Sequence, residues 1–169
     1  KYGPLYTYGL NVMNKFSPKF FVAENVGGLS SANQGNALKK ILSDLEKSGK
    51  NGYNLVVHKY RSEQYAIPQT RHRIIIVGID KQSNTTFKVP APTTPKAIDF
   101  VSAKTALELP PIKPSAFNNT LTKQSQIVIE RLQNIKPGQN VFNSNLPKHL
   151  QLNVKGAKLS QIYRRLHPN

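Results

Sequence analysis

Residues 73–79 read RIIIVGI, and this apolar run decides the fold class. Consecutive β-branched side chains without polar alternation are typical of a strand that is buried on both faces. The run FFVAE predicts a second strand over residues 20–24, and the pattern of residues 53–60 predicts a third. The sequence therefore predicts one sheet that contains residues 20–24, 53–60 and 73–79 as strands.

Two segments have helical periodicity, one before the first of these strands and one between the first and the second. Residues 4–17 and residues 33–48 carry apolar side chains three and four positions apart, which predicts one buried stripe on each helix. Helices that alternate with strands indicate an α/β fold in which the helices pack on the sheet. We expect all five elements to belong to one domain.

The character of the chain changes after Asp80. Six prolines punctuate residues 81–115, and the segment from there to the C-terminus is loop-rich and basic. Helices are predicted only at Ala103–Leu109 and over residues 123–135. We place a domain boundary near residue 90, with one domain over residues 1–90 and a second region over residues 91–169.

The charge balance points to a polyanionic partner. Lys and Arg number 24 against 8 Asp and Glu, which gives a formal net charge of +16 and an isoelectric point near 10.2. Such an excess gains affinity for nucleic acid by releasing counterions from phosphate. A lysine-rich surface that only serves solubility is the alternative interpretation.

Several classes of site and location are not indicated by the sequence. Cysteine is absent, and the four histidines lack metal-ligand spacing, so we expect no disulfide, thiol nucleophile or metal ion within these residues. No apolar run approaches the roughly 20 residues that cross a bilayer, and no signal peptide opens the chain. The expectation is an intracellular protein without a membrane partner.

Glu24 follows the apolar run FFVA and precedes Asn25, Val26 and two glycines. Polar residues at the end of a buried strand are placed where open α/β sheets bind ligands. A carboxyl group desolvated there has a raised pKa and can donate a proton or hydrogen bond near neutral pH. The alternative is that Glu24 only caps the glycine turn.

The segment QTRHR, residues 69–73, is the second candidate site. In extended backbone Gln69, Arg71 and Arg73 share a face, each roughly 6–7 Å from the next. This is about the separation of successive phosphates, and arginine binds phosphate or base oxygens bidentately. A solvated basic strand entry is the alternative explanation.

Together the two segments resemble the DNA cytosine-5 methyltransferases of bacterial restriction-modification systems. FVAENVGGL is similar to the Glu-Asn-Val motif of that family, and YAIPQTRHRIIIVG is similar to its Gln-x-Arg-x-Arg motif. The resemblance is close over residues 3–80 and weaker from Thr105 to Pro111. Residues 135–140 and 163–166 look like the variable target-recognition region.

The resemblance implies a fold and a reaction. The fold is the C-terminal part of a Rossmann-like methyltransferase sheet with its helices, followed by part of a loop-rich target-recognition region. The strand at 73–79 is expected to run antiparallel to its neighbours. The reaction is methyl transfer from S-adenosylmethionine to C5 of a cytosine that is flipped out of double-stranded DNA.

The resemblance also implies residue roles. Glu24 would hydrogen-bond N3 and the amino group of the cytosine, while Asn25 and Val26 shape the turn behind it. Arg71 would contact the base carbonyl and backbone as a second catalytic residue, and Gln69 and Arg73 would bind phosphates. Arg164 and Arg165 are candidates for reading base edges in the second region.

The family's cofactor loop and its Pro-Cys nucleophile have no counterpart in this sequence. We expect both before Lys1, so that this chain alone is inactive and holds little of the S-adenosylmethionine site. A cognate restriction endonuclease is an expected functional partner, and the bacterial cytoplasm is the expected location. The competing hypotheses are a non-catalytic DNA-binding module and an RNA cytosine-5 methyltransferase.

Overall fold

The computed structural model describes residues 5–30, 32–154, 156 and 160–167. It divides into two compact units, one up to Phe100 and one from Val101 onward. The first unit contains α1 (Tyr6–Phe16), β1 (Phe20–Val26), α2 (Asn36–Lys47), β2 (Tyr53–Arg61) and β3 (His72–Asp80). The second contains α3 (Ala103–Glu108) and α4 (Gln126–Asn134). The division between domains predicted near residue 90 stays a prediction.

The three strands form one antiparallel sheet in the order β1-β3-β2. Strand β3 lies in the middle and runs antiparallel to both neighbours, which confirms the predicted direction. Strands β1 and β2 therefore point the same way, and both end where β3 begins. The register pairs Glu24 with Ile75 and Val26 with Arg73.

The core of the first unit lies between the helices and one face of the sheet. Its buried side chains come from α1, α2, β2 and β3: Met13, Leu45, Tyr53, Ile74 and Ile76. The alternation of β3 sends Ile74 and Ile76 to this face, as its strand periodicity requires. The predicted helical stripes supply the opposing side chains, including Leu38, Ile41 and Leu42.

Gly78 is needed where β3 pairs with Phe21 of β1. A Cβ atom at this position would lie 2.1 Å from the ring of Phe21, which is its partner in the register. The space lets Phe21 lie edge-on against Tyr53, with ring centroids 5.0 Å apart. Gly78 therefore makes room for aromatic packing inside β3, which continues to Asp80 and does not end at this glycine as its sequence suggests.

The second unit has a smaller core and no strand among its described residues. Its buried side chains are Ile135, Val141, Leu146 and Leu150, with Phe142, Leu152, Ile162 and Tyr163 packed around them. Helix α3 begins at a cap in which the Ser102 hydroxyl accepts a hydrogen bond from the Thr105 N–H at 3.1 Å. Both helices occur within the ranges predicted for them.

Candidate nucleic-acid interface

The sheet brings the two candidate motifs together at one edge, which is where β1 ends and β3 begins. Because β3 is antiparallel to β1, its first residues lie beside the last residues of β1. Glu24 near the end of β1 thus lies beside Arg73 near the start of β3. Two segments about fifty positions apart in the sequence form one site through strand pairing alone.

Glu24 and Arg73 form an ion pair at this edge. Nε of Arg73 lies 2.5 Å from Oε1 of Glu24, and Nη1 of Arg73 donates a hydrogen bond to the carbonyl of His72 at 2.8 Å. The Nε–H does not point at the carboxylate, and this buried nitrogen has no hydrogen-bond acceptor among the described residues. The pair is therefore a charge contact that leaves one donor of Arg73 unused.

The expected desolvation of Glu24 is wrong for this structure. Its side chain is 51% exposed, whereas that of Arg73 is only 22% exposed. The reason is position: β1 is an edge strand, and Glu24 faces away from the helices that cover the other side of the sheet. The carboxylate is accessible to a ligand approaching this open face.

Asn25 and Val26 are the last two residues of β1, directly before the turn. Oδ1 of Asn25 accepts a hydrogen bond from the Val26 N–H at 2.8 Å. The chain then enters a 3₁₀ turn, Gly27–Ser30, in which the Ser30 hydroxyl donates to the carbonyl of Gly27 at 2.9 Å. These local side-chain bonds flank the point where β1 ends at Val26 and the turn begins at Gly27.

The expected alternation of Gln69, Arg71 and Arg73 holds for only part of the segment. Gln69 lies in a bend, where its N–H donates to the carbonyl of Ile67 at 2.7 Å, and β3 begins at His72. The tight turn after Pro68 removes Gln69 from the even spacing of an extended strand. Arg71 remains aligned, because its carbonyl accepts from the Ser62 N–H at 3.0 Å and continues the ladder by one residue.

The structure adds a buried carboxylate that the sequence did not single out. Oε1 of Glu63 lies 2.9 Å from Nε2 of His72 and 3.1 Å from Nε of Arg61. Burial acts to raise the pKa of Glu63, but hydrogen bonds from a backbone N–H, His72 and Arg61 outweigh it and hold the pKa below its ordinary value. Only the position of an acidic residue in a basic segment hinted at this cluster.

The two arginines predicted to read bases differ in their contacts. Nη1 of Arg165 donates to the carbonyl of Ile135 at 2.9 Å, and its backbone exchanges hydrogen bonds with Gln139 and Gly138. Arg164 is exposed, and its neighbour Tyr163 has a left-handed backbone with φ of 46°. Arg165 therefore closes a loop.

A cleft of about 660 Å³ opens between α1 and β1. Its walls are mainly apolar, and Tyr6, Glu24 and Asn25 are its polar members. The part of the chain that the structure describes contains no group of three or more His, Cys, Asp or Glu that could hold a metal ion. None of its helices is long and apolar enough to cross a membrane.

Comparison with known proteins shows the family of this chain. A family model described as C-5 cytosine-specific DNA methylase matches residues 1–167. The chain belongs to this family. The Type II methyltransferase M.BbvI of Brevibacillus brevis is 49% identical over 169 residues, which are 99% of this chain and 44% of that protein. M.NgoFVII of Neisseria gonorrhoeae is 36% identical over 172 residues, again 99% and 44% of the two proteins.

The chain also resembles a solved structure. This is an E. coli prophage-encoded protein described as a DNA modification methyltransferase, with 26% identity and a TM-score of 0.48. The match covers 60% of this chain and 28% of that protein. The chain spans less than half the length of the two Type II methyltransferases it matches.

The cofactor of the C-5 cytosine-specific methylases does not fit the residues described here. S-adenosylmethionine carries a carboxylate, and no Lys or Arg lines the cleft beside Glu24. The lining also lacks a glycine-rich turn at a helix N-terminus. These residues form one apolar wall and do not make a cofactor site by themselves.

Proposed function

We propose that this chain is the part of a DNA cytosine-5 methyltransferase that holds the target base and its flanking phosphates. The complete enzyme would transfer the methyl group of S-adenosylmethionine to C5 of a cytosine flipped from duplex DNA. The observation that carries the proposal is the convergence of Glu24 and Arg73 at one sheet edge. It occurs in a chain that matches the family over residues 1–167.

Glu24 is the proposed contact to the Watson–Crick edge of the cytosine. A carboxyl group can hydrogen-bond the amino group and N3 together, which selects cytosine. Its half-exposed position leaves room for a base, and the charge contact to Arg73 holds the side chain from one side. The hydrogen bond at N3 eases addition of a nucleophile to C6.

The arginines have separate proposed roles. Arg73 contacts Glu24 and the His72 carbonyl, so we assign it to holding the carboxylate and retain phosphate contact as its second role. Arg71 is exposed and is the proposed contact to the base carbonyl and neighbouring phosphates. Gln69 precedes it in the bend and is the proposed second phosphate contact.

The second region, residues 91–169, is the proposed part of the target-recognition domain. Loops that are held in place by a rigid scaffold are typical of binding surfaces. Arg164 is the proposed base reader, since the guanidinium of Arg165 already binds the Ile135 carbonyl. A base reader needs an uncommitted fork that can reach guanine O6 and N7.

The remaining assignments extend to the whole enzyme. The chain has no cysteine, so the thiolate that adds to C6 would come from another part of the polypeptide, as would the cofactor loop. The relatives are named Type II methyltransferases. We therefore assign the protein to a bacterial restriction-modification system, acting on cytoplasmic DNA beside a cognate endonuclease.

Methyl transfer by the full-length protein tests this proposal. Labelled S-adenosylmethionine is supplied with duplex DNA or with duplex RNA of the same sequence. We expect label in DNA alone. Transfer to RNA would favour an RNA cytosine-5 methyltransferase, and DNA binding without transfer would favour a non-catalytic module.

A further inference from the structure

Three consecutive residues at the start of β3 are tied down in three different ways. The carbonyl of Arg71 accepts hydrogen bonds from both the N–H and the hydroxyl of Ser62, at 3.0 and 2.9 Å. The ring of His72 binds Glu63, and the guanidinium of Arg73 binds the His72 carbonyl and contacts Glu24. Arg71 is therefore an exposed side chain on a fixed backbone.

Glu63 is the centre of this arrangement. Its side chain is only 6% exposed, and one oxygen receives both Nε2 of His72 and Nε of Arg61. The other oxygen, Oε2, is buried without a hydrogen-bond partner among the described residues. A buried carboxylate is costly unless it is paired, so loss of either partner leaves a poorly compensated charge.

Glu63 lies in the 3₁₀ turn Ser62–Tyr65, and hydrogen bonds from Thr94 and to Pro90 hold this turn in place. The hydroxyl of Thr94 donates to the Glu63 carbonyl at 2.8 Å and accepts from the Ala66 N–H at 3.0 Å. The Tyr65 hydroxyl donates to the carbonyl of Pro90 at 3.0 Å. The turn is thus a rigid support. From it Ser62 binds the carbonyl of Arg71, and Glu63 binds the ring of His72.

We propose that Glu63 and His72 are positioning residues that fix the direction of the Arg71 side chain toward DNA. The inference rests on the proposed function, in which Arg71 contacts the base and phosphates. Neither positioning residue needs to touch DNA. A preorganised backbone lowers the conformational entropy that Arg71 loses when it binds, which improves affinity without adding a contact.

The position of His72 in the motif explains why its identity matters. Residues 71 and 73 of the extended segment face the open side of the sheet, so residue 72 points to the opposite side. A side chain that donates from this side can reach Glu63, since an ionised carboxylate only accepts hydrogen bonds. His72, which separates the two arginines, therefore holds this segment to Glu63.

A double-mutant cycle on the full-length protein tests the inference. His72→Ala, Arg71→Ala and the double variant are compared by KM for duplex DNA and by kcat at saturating DNA. We expect His72→Ala to raise KM about three- to tenfold, the effect of one hydrogen bond, with kcat nearly unchanged. In the Arg71→Ala background the same substitution is expected to have no further effect.

Two additional variants separate positioning from general stability. His72→Gln keeps an N–H donor and is expected to restore most of the affinity. Tyr53→Phe removes the hydrogen bond to the Pro18 carbonyl in the same unit, and it is expected to lower the melting temperature without raising KM. If His72→Ala behaved as Tyr53→Phe does, the positioning role would be overturned.

The remaining outcomes distinguish this inference from the proposed function. An equal rise in KM for His72→Ala in both backgrounds would overturn action through Arg71. A normal KM for His72→Ala beside a raised KM for Arg71→Ala would overturn the inference alone. A normal KM for Arg71→Ala would refute the proposed role of Arg71, and the inference with it.

Discussion

The two compact units place their candidate functional side chains by different means. In the first, strand register sets Glu24 beside Arg73, and every neighbouring residue pair is fixed by the same ladder. In the second, Arg165 closes a loop through single hydrogen bonds to Ile135, Gln139 and Gly138. A repeating strand pattern thus positions the pair Glu24 and Arg73, whereas individual contacts position Arg165.

This difference suits two different tasks. Chemistry on a base requires fixed geometry, which a sheet provides at its edge. Recognition of different DNA sequences requires surfaces that change between relatives, and loops tolerate such change better than sheets. We therefore expect substitutions at the sheet edge to affect turnover and substitutions in the second unit to affect sequence choice.

The largest effect is expected for Glu24→Gln in the full-length protein. Glutamine keeps the size of the side chain and can still donate a hydrogen bond, but it cannot transfer a proton to the base, so turnover should fall by about 10²–10⁴-fold. DNA affinity should be largely preserved. The matched control is Glu46→Gln, which alters an exposed carboxylate paired with Lys81 at 3.5 Å. Wild-type turnover in Glu24→Gln would remove Glu24 from the reaction.

Core truncations sharpen the comparison between the units. Ile135 is fully buried in the second core and Ile74 is buried in the first. Each change to Ala should cost about 2–5 kcal/mol through lost burial and a cavity. Hydrogen exchange read by mass spectrometry should show Ile135→Ala loosening residues 126–165 more than the strands. Equal loosening of both units would contradict their description as separate cores.

Arg164→Ala is expected to act at one base position. Loss of a bidentate base contact costs about 1–3 kcal/mol at that position and leaves non-specific binding nearly intact. Arg165→Ala should instead lower thermal stability, because it frees the Ile135 carbonyl. Binding to a panel of single-base duplex variants checks this. A uniform loss across the panel for Arg164→Ala would indicate phosphate contact only.

The smallest effect is expected where α1 meets α2. The Tyr6 hydroxyl donates to Asp44 at 2.8 Å, and the pKa of Asp44 is lowered first by this bond and then by that from Lys40. A lowered carboxyl pKa stabilises the fold above the unfolded value, near 3.8, and the contribution is lost as pH falls. Tyr6→Phe should be slightly less stable than wild type at pH 7, with the difference shrinking in acid melts. A difference that grew in acid would contradict this.

Much of the first unit could be predicted because its signals are periodic. The run at 74–77 and the helical stripes fixed the strands and helices to within a few residues, and the motifs located Glu24 and Arg73. The exposure of Glu24 could not be predicted, since periodicity does not reveal that β1 lies at the sheet edge. The bend at Gln69 was missed because Pro68 alters the backbone before the strand begins.

The Glu63 cluster and the roles of the paired arginines were beyond sequence reasoning for a different reason. Glu63 meets His72 across nine residues and a 3₁₀ turn, and Arg165 meets Ile135 across thirty. Such single contacts have no period and depend on loop geometry. Arg164 and Arg165 are equivalent in the sequence, and only the fold separates them.

Analysis of the methylated nucleoside is the most direct test of the central claim. DNA from a methylation-deficient host expressing the full-length protein is digested to nucleosides and analysed by mass spectrometry beside standards. Methylation at C5 of cytosine is the predicted product, and Glu24→Gln should reduce its amount strongly. A methyl group on the exocyclic amine of cytosine or adenine would contradict the assignment of Glu24 and the arginine motif to cytosine-5 chemistry.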